Sequence, residues 1–233
     1  MTSKILPSPQ LVLNSRMLYT SWIPADPAAA AKLLPPALKP AQNHAIYMNQ
    51  YVVDAAEQTT GFGAYSLTYL GLDVADLFAP DGVTPARFFT HYFNSSEVVR
   101  DYAKAHGVPA TPGSTTLFVE RNRNMLTATT SVDGSPIIRS QVEVGKQADI
   151  TVAGHLRYLT RVKDRLMSGL YPYIGEIVST FKVLSIEFLD PSHPVYALRP
   201  ASPLEVVAAS SFYAPRDSFV YPGGEEELGP AEG

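Results

Sequence analysis

The sequence predicts an α+β chain dominated by one large antiparallel sheet or barrel, with a few short helices. Three observations predict it. Twenty prolines are dispersed over 233 residues, which suits many short strands joined by turns and opposes a helical bundle. The stretch 63–74 alternates, with Tyr65, Leu67 and Tyr69 to one side and Ser66, Thr68 and Leu70 to the other, the period of a strand. Asp133-Gly134 lies between two apolar runs, a strong signal for a tight hairpin.

The elements follow in order. Asp26 can cap a helix over 27–34, Pro27 suits its first turn, the alanines favour it, and Pro35-Pro36 stops it. Strands are expected over 45–53, 63–74 and 86–93. Ser95 or Ser96 can cap a helix over 97–105, which ends at His106-Gly107. Strands over 115–121, 125–132 and 137–144 come next, the last two joined at Asp133-Gly134. A helix or helical turn around 158–167 would carry Arg157, Arg161, Lys163 and Arg165. Strands over 179–188 and 204–213 flank a Pro-rich loop at 190–203. No repeat or long linker divides the chain, so one domain over 1–222 is expected. The Gly-, Pro- and Glu-rich segment 223–233 reads as a disordered tail.

Composition narrows the function. The net charge is −4 and the basic residues are scattered, which argues against a nucleic-acid partner. There is no cysteine, so disulfides, thiolate nucleophiles and cysteine-bearing metal sites are excluded. No apolar run nears a membrane span and no signal-peptide pattern opens the chain; a cytoplasmic protein is the expectation. Histidine and carboxylate spacings fit no metal site, and no cofactor is expected.

Two segments resemble the acetoacetate decarboxylase superfamily. One is His106-Gly107-Val108-Pro109-Ala110-Thr111; the other is Pro203-Leu204-Glu205-Val206-Val207 followed by Tyr213 and Asp217. The family's mid-chain turn reads Gly-x-Pro-Lys-Lys, and its first Lys forms the Schiff base. Here Gly107 and Pro109 match, while Ala110 and Thr111 stand at the two Lys positions. The resemblance implies a closed antiparallel barrel or cone with a ligand cavity inside, and often self-association into homo-oligomers. A Schiff-base lysine needs a pKa lowered by burial or a neighbouring cation, and acetoacetate decarboxylase is itself the standard instance of this tuning. Neither Ala110 nor Thr111 can do this. Lys104, with Arg100 one turn earlier, could be a displaced nucleophile or an ordinary solvated lysine. Leu67 stands where a family strand carries a Glu.

The remaining candidates come from patterning. Arg139, Gln141 and Glu143 share one face of a strand. Turned inward, Arg139 and Gln141 could bind a carboxylate and Glu143 could move protons; turned outward, they form a wet face. Tyr65 could point its hydroxyl into the cavity or pack in the core. His106, beside the Gly-x-Pro turn, could act in acid–base chemistry or serve as a helix-end residue. His91 and Arg100 are further candidates for substrate binding, together with Tyr92. The expectation is a protein that binds a small oxo-acid or polyketide-like metabolite in a barrel cavity. As an enzyme it would be a lyase, hydratase or cyclase without a Schiff base. The alternatives are a non-catalytic small-molecule binder and a decarboxylase using Lys104.

Overall fold

The computed structural model describes residues 5–232. Thirteen strands and two α-helices build it: β1 (Gln10–Trp22), α1 (Pro27–Ala31), β2 (Ile46–Val53), β3 (Tyr65–Phe78), β4 (Pro85–Asn94), α2 (Glu97–Ala105), β5 (Ala110–Pro112), β6 (Ser114–Glu120), β7 (Met125–Val132), β8 (Ser135–Val144), β9 (Ile150–Val162), β10 (Arg165–Ile177), β11 (Phe181–Phe188), β12 (Phe212–Tyr221) and β13 (Glu226–Pro230). Among the described residues no helix is long and apolar enough to cross a membrane.

Seven strands run β12-β1-β2-β3-β4-β9-β10, and pairing of β10 with β12 closes the barrel. Its neighbours are antiparallel except β4 and β9, which meet in parallel at Arg87–Phe88. Alternation puts one face of each strand inside. The inner face is aromatic, with Tyr19, Tyr47, Tyr51, Tyr69, Phe89 and Tyr92 all buried. A second sheet, β11-β8-β7-β6, packs outside the barrel. Leu117, Leu126, Ala128, Val142 and Val144 of that sheet cover Leu18 and Tyr213. Ser140 and Thr130 join Gln50 of β2 through buried hydrogen bonds of 2.7 and 2.9 Å.

The local signals explain several elements. Asp26 accepts from the Ala29 amide at the start of α1, and Ser96 caps α2. Asp133 and Gly134 turn β7 into β8 with positive φ of 49° and 77°, the backbone such a hairpin requires.

Three expectations fail. The helix around 158–167 is instead the β9–β10 hairpin, turned at Lys163 (φ 57°) and Asp164. Leu156, Tyr158, Leu159, Thr160 and Leu166 are all buried, so the two-residue alternation is blurred there. The last long strand lies at Phe212–Tyr221 rather than 204–213. Residues 204–207 only brace the end of β1, through the Ile23 amide to Glu205 and the Val207 amide to Ser21. The tail is not disordered over 226–230, because β13 pairs with β10. Its acids meet a row of arginines: Glu226 with Arg157 (3.6 Å), Glu227 with Arg165, and Glu232 with Arg161 (2.8 Å). Composition registers the acids and misses the partners.

Candidate functional site

The barrel interior holds a cavity of about 110 Å³. At about 30 Å³ per water in the liquid, that is room for about four waters, the bulk of a small organic acid. His155 and Ala209 are its exposed lining residues, so they mark the mouth.

Arg87 is the cation of this wall. It stands in β4 within Pro85-Ala86-Arg87-Phe88-Phe89, and the residue is 5% exposed. Its Nε donates to Asp73 Oδ1 at 3.0 Å; Asp73 is the directly opposite residue on β3 and is 3% exposed. The guanidinium carbon lies 3.8 Å from the Tyr47 ring centroid. Burial pushes the Arg87 guanidinium down, and Asp73 pushes it back above its ordinary value. Burial raises Asp73, against the pull of Arg87. Nε uses one of five N–H groups. Among the described residues no side chain or carbonyl takes the four on the terminal nitrogens.

Phenols line the rest. Tyr51 bonds both Tyr65 (2.9 Å) and Tyr221 (2.8 Å), and Tyr221 reaches Tyr92 (3.4 Å). Burial holds the hydroxyls of Tyr51, Tyr65, Tyr92 and Tyr221 above their ordinary pKa, and pushes Tyr69 up to about 12. All are neutral donors at neutral pH. Asn49, 1% exposed, lines the cavity with its Oδ1 lacking a partner. Asp217 on β12 is fully buried, and neither oxygen has a hydrogen-bond partner among the described residues. Burial pushes its carboxyl up to about 8. Gly175 faces it on β10, where a Cβ would stand 2.8 Å from Oδ2.

None of the seven residues picked from the sequence lines this cavity. Tyr65 touches it through its hydrogen bond to Tyr51. Arg139, Gln141 and Glu143 face away from the barrel, because Ser140, Val142 and Val144 fill the packed side of β8. Arg139 instead meets Glu187 at 3.8 Å on the outer face. His91 lies in a surface groove with Phe93 and His193, where burial and His193 lower its pKa to about 4. Arg100 donates to the Asn94 carbonyl, tying α2 to β4. His106 lines a separate small pocket behind Tyr171 and Tyr221. There its Nδ1 is 2.7 Å from Glu225, which also accepts from Tyr158 at 2.6 Å. Burial would raise Glu225, but His106 and Tyr158 outweigh it and hold the carboxyl at about 2.

Ala110, at the family's nucleophile position, is buried beside Tyr92. Thr111 is exposed, as is Lys104. Among the described residues, Arg87 and His155 are the only basic side chains of the cavity wall. Among the described residues no group of three metal-ligating side chains is gathered. Sequence reasoning missed Arg87, Asn49, Tyr51, Tyr221 and Asp217. A lone arginine inside an apolar strand, and tyrosines two or four apart on several strands, were the available signals.

No family model matches the chain, and a search of the curated proteins gives no match. Solved structures do match. The enduracididine biosynthesis enzyme MppR complexed with pyruvate aligns at TM-score 0.67 and 17% identity, covering 97% of this chain and 93% of that one. Acetoacetate decarboxylase from Legionella pneumophila aligns at TM-score 0.65 and 14% identity, over 98% and 94%. An acetoacetate decarboxylase-like enzyme from Sphingomonas wittichii aligns at 0.62 and 16%, over 99% and 97%. At these identities the likeness speaks for the fold: this chain has the acetoacetate decarboxylase-like barrel.

Proposed function

Starting from an acetoacetate decarboxylase-like barrel without the Schiff-base lysine, we propose that this chain binds a small carboxylic acid, an oxo-acid in the first instance, and acts on it without an imine. The observation that carries this is Arg87. A buried guanidinium with unspent N–H donors on the barrel cavity is a fork for a carboxylate, and the Asp73 partner keeps it charged and oriented. The size of the cavity favours an acid of pyruvate's dimensions over a polyketide. The pyruvate complex of the similar fold supports the same class. The chemistry within reach is polarisation of a keto oxygen by neutral phenols, which leads to lyase-type or hydration reactions.

The test is calorimetric titration of pyruvate into wild type and Arg87→Lys. Lysine keeps a charge for Asp73 and loses the fork, so a loss of about tenfold or more is expected for a charge-assisted hydrogen bond. An unchanged affinity, or no binding to wild type, overturns the proposal. The second reading, a binder without catalysis, is favoured by a cavity wall in which no described residue is a lysine. Exchange of the pyruvate methyl protons in D₂O, followed by NMR, separates the two: enzyme-dependent exchange supports catalysis.

A further inference from the structure

We propose that a second ligand site lies outside the barrel, where the outer sheet parts from it, and that this site takes a phosphomonoester with an apolar body. Arg121, Lys146 and the Tyr213 hydroxyl hold the dianion. The site stands apart from the Arg87 cavity and does not depend on its reading.

The seam between the barrel and the outer sheet opens at one end into a groove of about 1000 Å³. Val144, Val178 and Tyr213 are buried in that seam and also line the groove. Backbone hydrogen bonds fix its rim. The Val144 amide donates to the Asn124 carbonyl and the Gly145 amide to the Thr180 carbonyl, each at 2.8 Å. They bring the turn after β6, which carries Arg121, against the segment after β8, which carries Lys146. Arg16 of β1 and Tyr213 and Arg216 of β12 form the facing wall. Phe212, next to Tyr213, lines the barrel cavity instead, since successive strand residues point to opposite faces.

Charge selects the ligand. Among the described residues four cations and no carboxylate line the groove. Two of the four are already compensated, Arg16 by Asp54 at 2.6 Å and Arg216 by Glu176. Arg121 and Lys146 are exposed, and among the described residues neither side chain has a hydrogen bond or an ion pair. Two positive charges are thus unmet in a chain of net charge −4. A phosphomonoester carries about −1.5 to −2 at neutral pH and balances both; a carboxylate balances one. Tyr213 points to the same occupant. The residue is 5% exposed, yet its hydroxyl has no partner among the described residues and is not sealed from solvent. Burial raises its pKa, while the guanidiniums of Arg16 and Arg121 pull against the rise, so both cations act on this hydroxyl. A neutral phenol donor beside free cations is a contact for a phosphate oxygen. Val119, Val144 and Val178 supply apolar surface for the rest of the ligand, and the groove is far larger than a bare phosphate needs.

The probe is phenyl phosphate. Benzoate offers the same ring on a monoanion, and inorganic phosphate offers the anion alone. Titration calorimetry on the full chain at pH 7 and low salt should show phenyl phosphate binding about threefold or more tighter than either, the scale of one exposed charge contact. Arg121→Gln combined with Lys146→Gln should weaken it about tenfold, the scale of two such contacts. Both changes fall on exposed residues, so the fold survives them. Tyr213→Phe should weaken it about threefold. Pyruvate binding should be the same in wild type and in all these variants, and the pyruvate titration of wild type tests the Arg87 reading separately. The proposal is overturned if phenyl phosphate does not bind wild type at millimolar concentration, if benzoate or inorganic phosphate binds as tightly, or if the affinity survives the double substitution.

Discussion

Replacing Arg87 by Met would leave Asp73 as a buried carboxylate without its cation. The two groups are 3.0 Å apart, and their attraction at an effective dielectric near 20 is about 5.5 kcal/mol. Desolvation offsets much of that attraction while the pair is intact, but a one-sided truncation leaves the desolvation uncompensated, and such truncations cost about 3–5 kcal/mol. That is a large share of the roughly 5–15 kcal/mol that holds a domain together. The pH dependence identifies the cause. Asp73 is already raised by burial and lowered by Arg87, so losing Arg87 raises it further. Between the unfolded and folded pKa the native state then binds the extra proton, and stability falls as pH rises by up to about 1.4 kcal/mol per unit. Urea denaturation at pH 5 and pH 7 should therefore show Arg87→Met losing more at pH 7 than at pH 5. Adding Asp73→Asn should recover much of the loss and remove the slope. A loss under about 1 kcal/mol at pH 7, or equal losses at both pH values, would refute the account of the pair.

Three further outcomes are expected. Asp217 has a folded pKa raised to about 8, so its contribution is complete below pH 4 and is lost as pH rises toward 8; wild type should lose several kcal/mol over that range by linkage, and Asp217→Asn should lose far less in urea titrations at pH 5, 7 and 8.5. Glu225 is held down at about 2, so its contribution is present above its unfolded value and lost as pH falls toward 2; Glu225→Gln should show a smaller drop in melting temperature between pH 5 and pH 2.5 than wild type, and an identical drop would disprove the role of the His106 and Tyr158 contacts. Borohydride trapping with acetoacetate should add no mass to the intact protein, since Lys104 is exposed on α2 and does not line the cavity; an adduct at Lys104 would restore the displaced-nucleophile alternative.

What the sequence revealed depended on how far each signal was local. The caps at Asp26 and Ser96 and the Asp133-Gly134 turn act within a few residues, and all three stand in the structure. The alternation of Tyr65, Leu67 and Tyr69 did mark the inner face of β3. The β9–β10 hairpin was hidden because Lys163 takes a left-handed turn position without a glycine or asparagine to announce it. Arg157, Arg161 and Arg165 also recur at a spacing of four, like a helix face, while their partners lie in the tail glutamates some 60 to 70 residues on. The polar face of β8 was legible as a face, but its direction was not. A sheet that packs outside the barrel inverts the inside–outside assignment a barrel strand would have. The Arg87 site was illegible for the same non-local reason, since Asp73 reaches it from β3 and Tyr47 from β2.

The exchange at the nucleophile position is more than the loss of a group. In the resembled family a lysine must be kept unprotonated in a dry site, which calls for a second cation close by. Here Ala110 is packed against Tyr92, and the interior charge is the Arg87–Asp73 pair, neutral as a unit. An incoming carboxylate thus meets a guanidinium that is already compensated, and binding it adds one net negative charge to a low-dielectric space. Phenols are suited to that space, since they stabilise the charge by hydrogen bonding and add none of their own. Asp217 can join them only as the protonated acid, the form that burial favours at neutral pH; ionised, it would add a second negative charge to the barrel interior. Acid affinity should therefore decline above about pH 8 as Asp217 loses its proton, and the decline should vanish in Asp217→Asn. If wild type and Asp217→Asn bind propanoate with the same pH profile from 6 to 9, the carboxyl is electrostatically remote from the ligand and the phenols with Arg87 act alone.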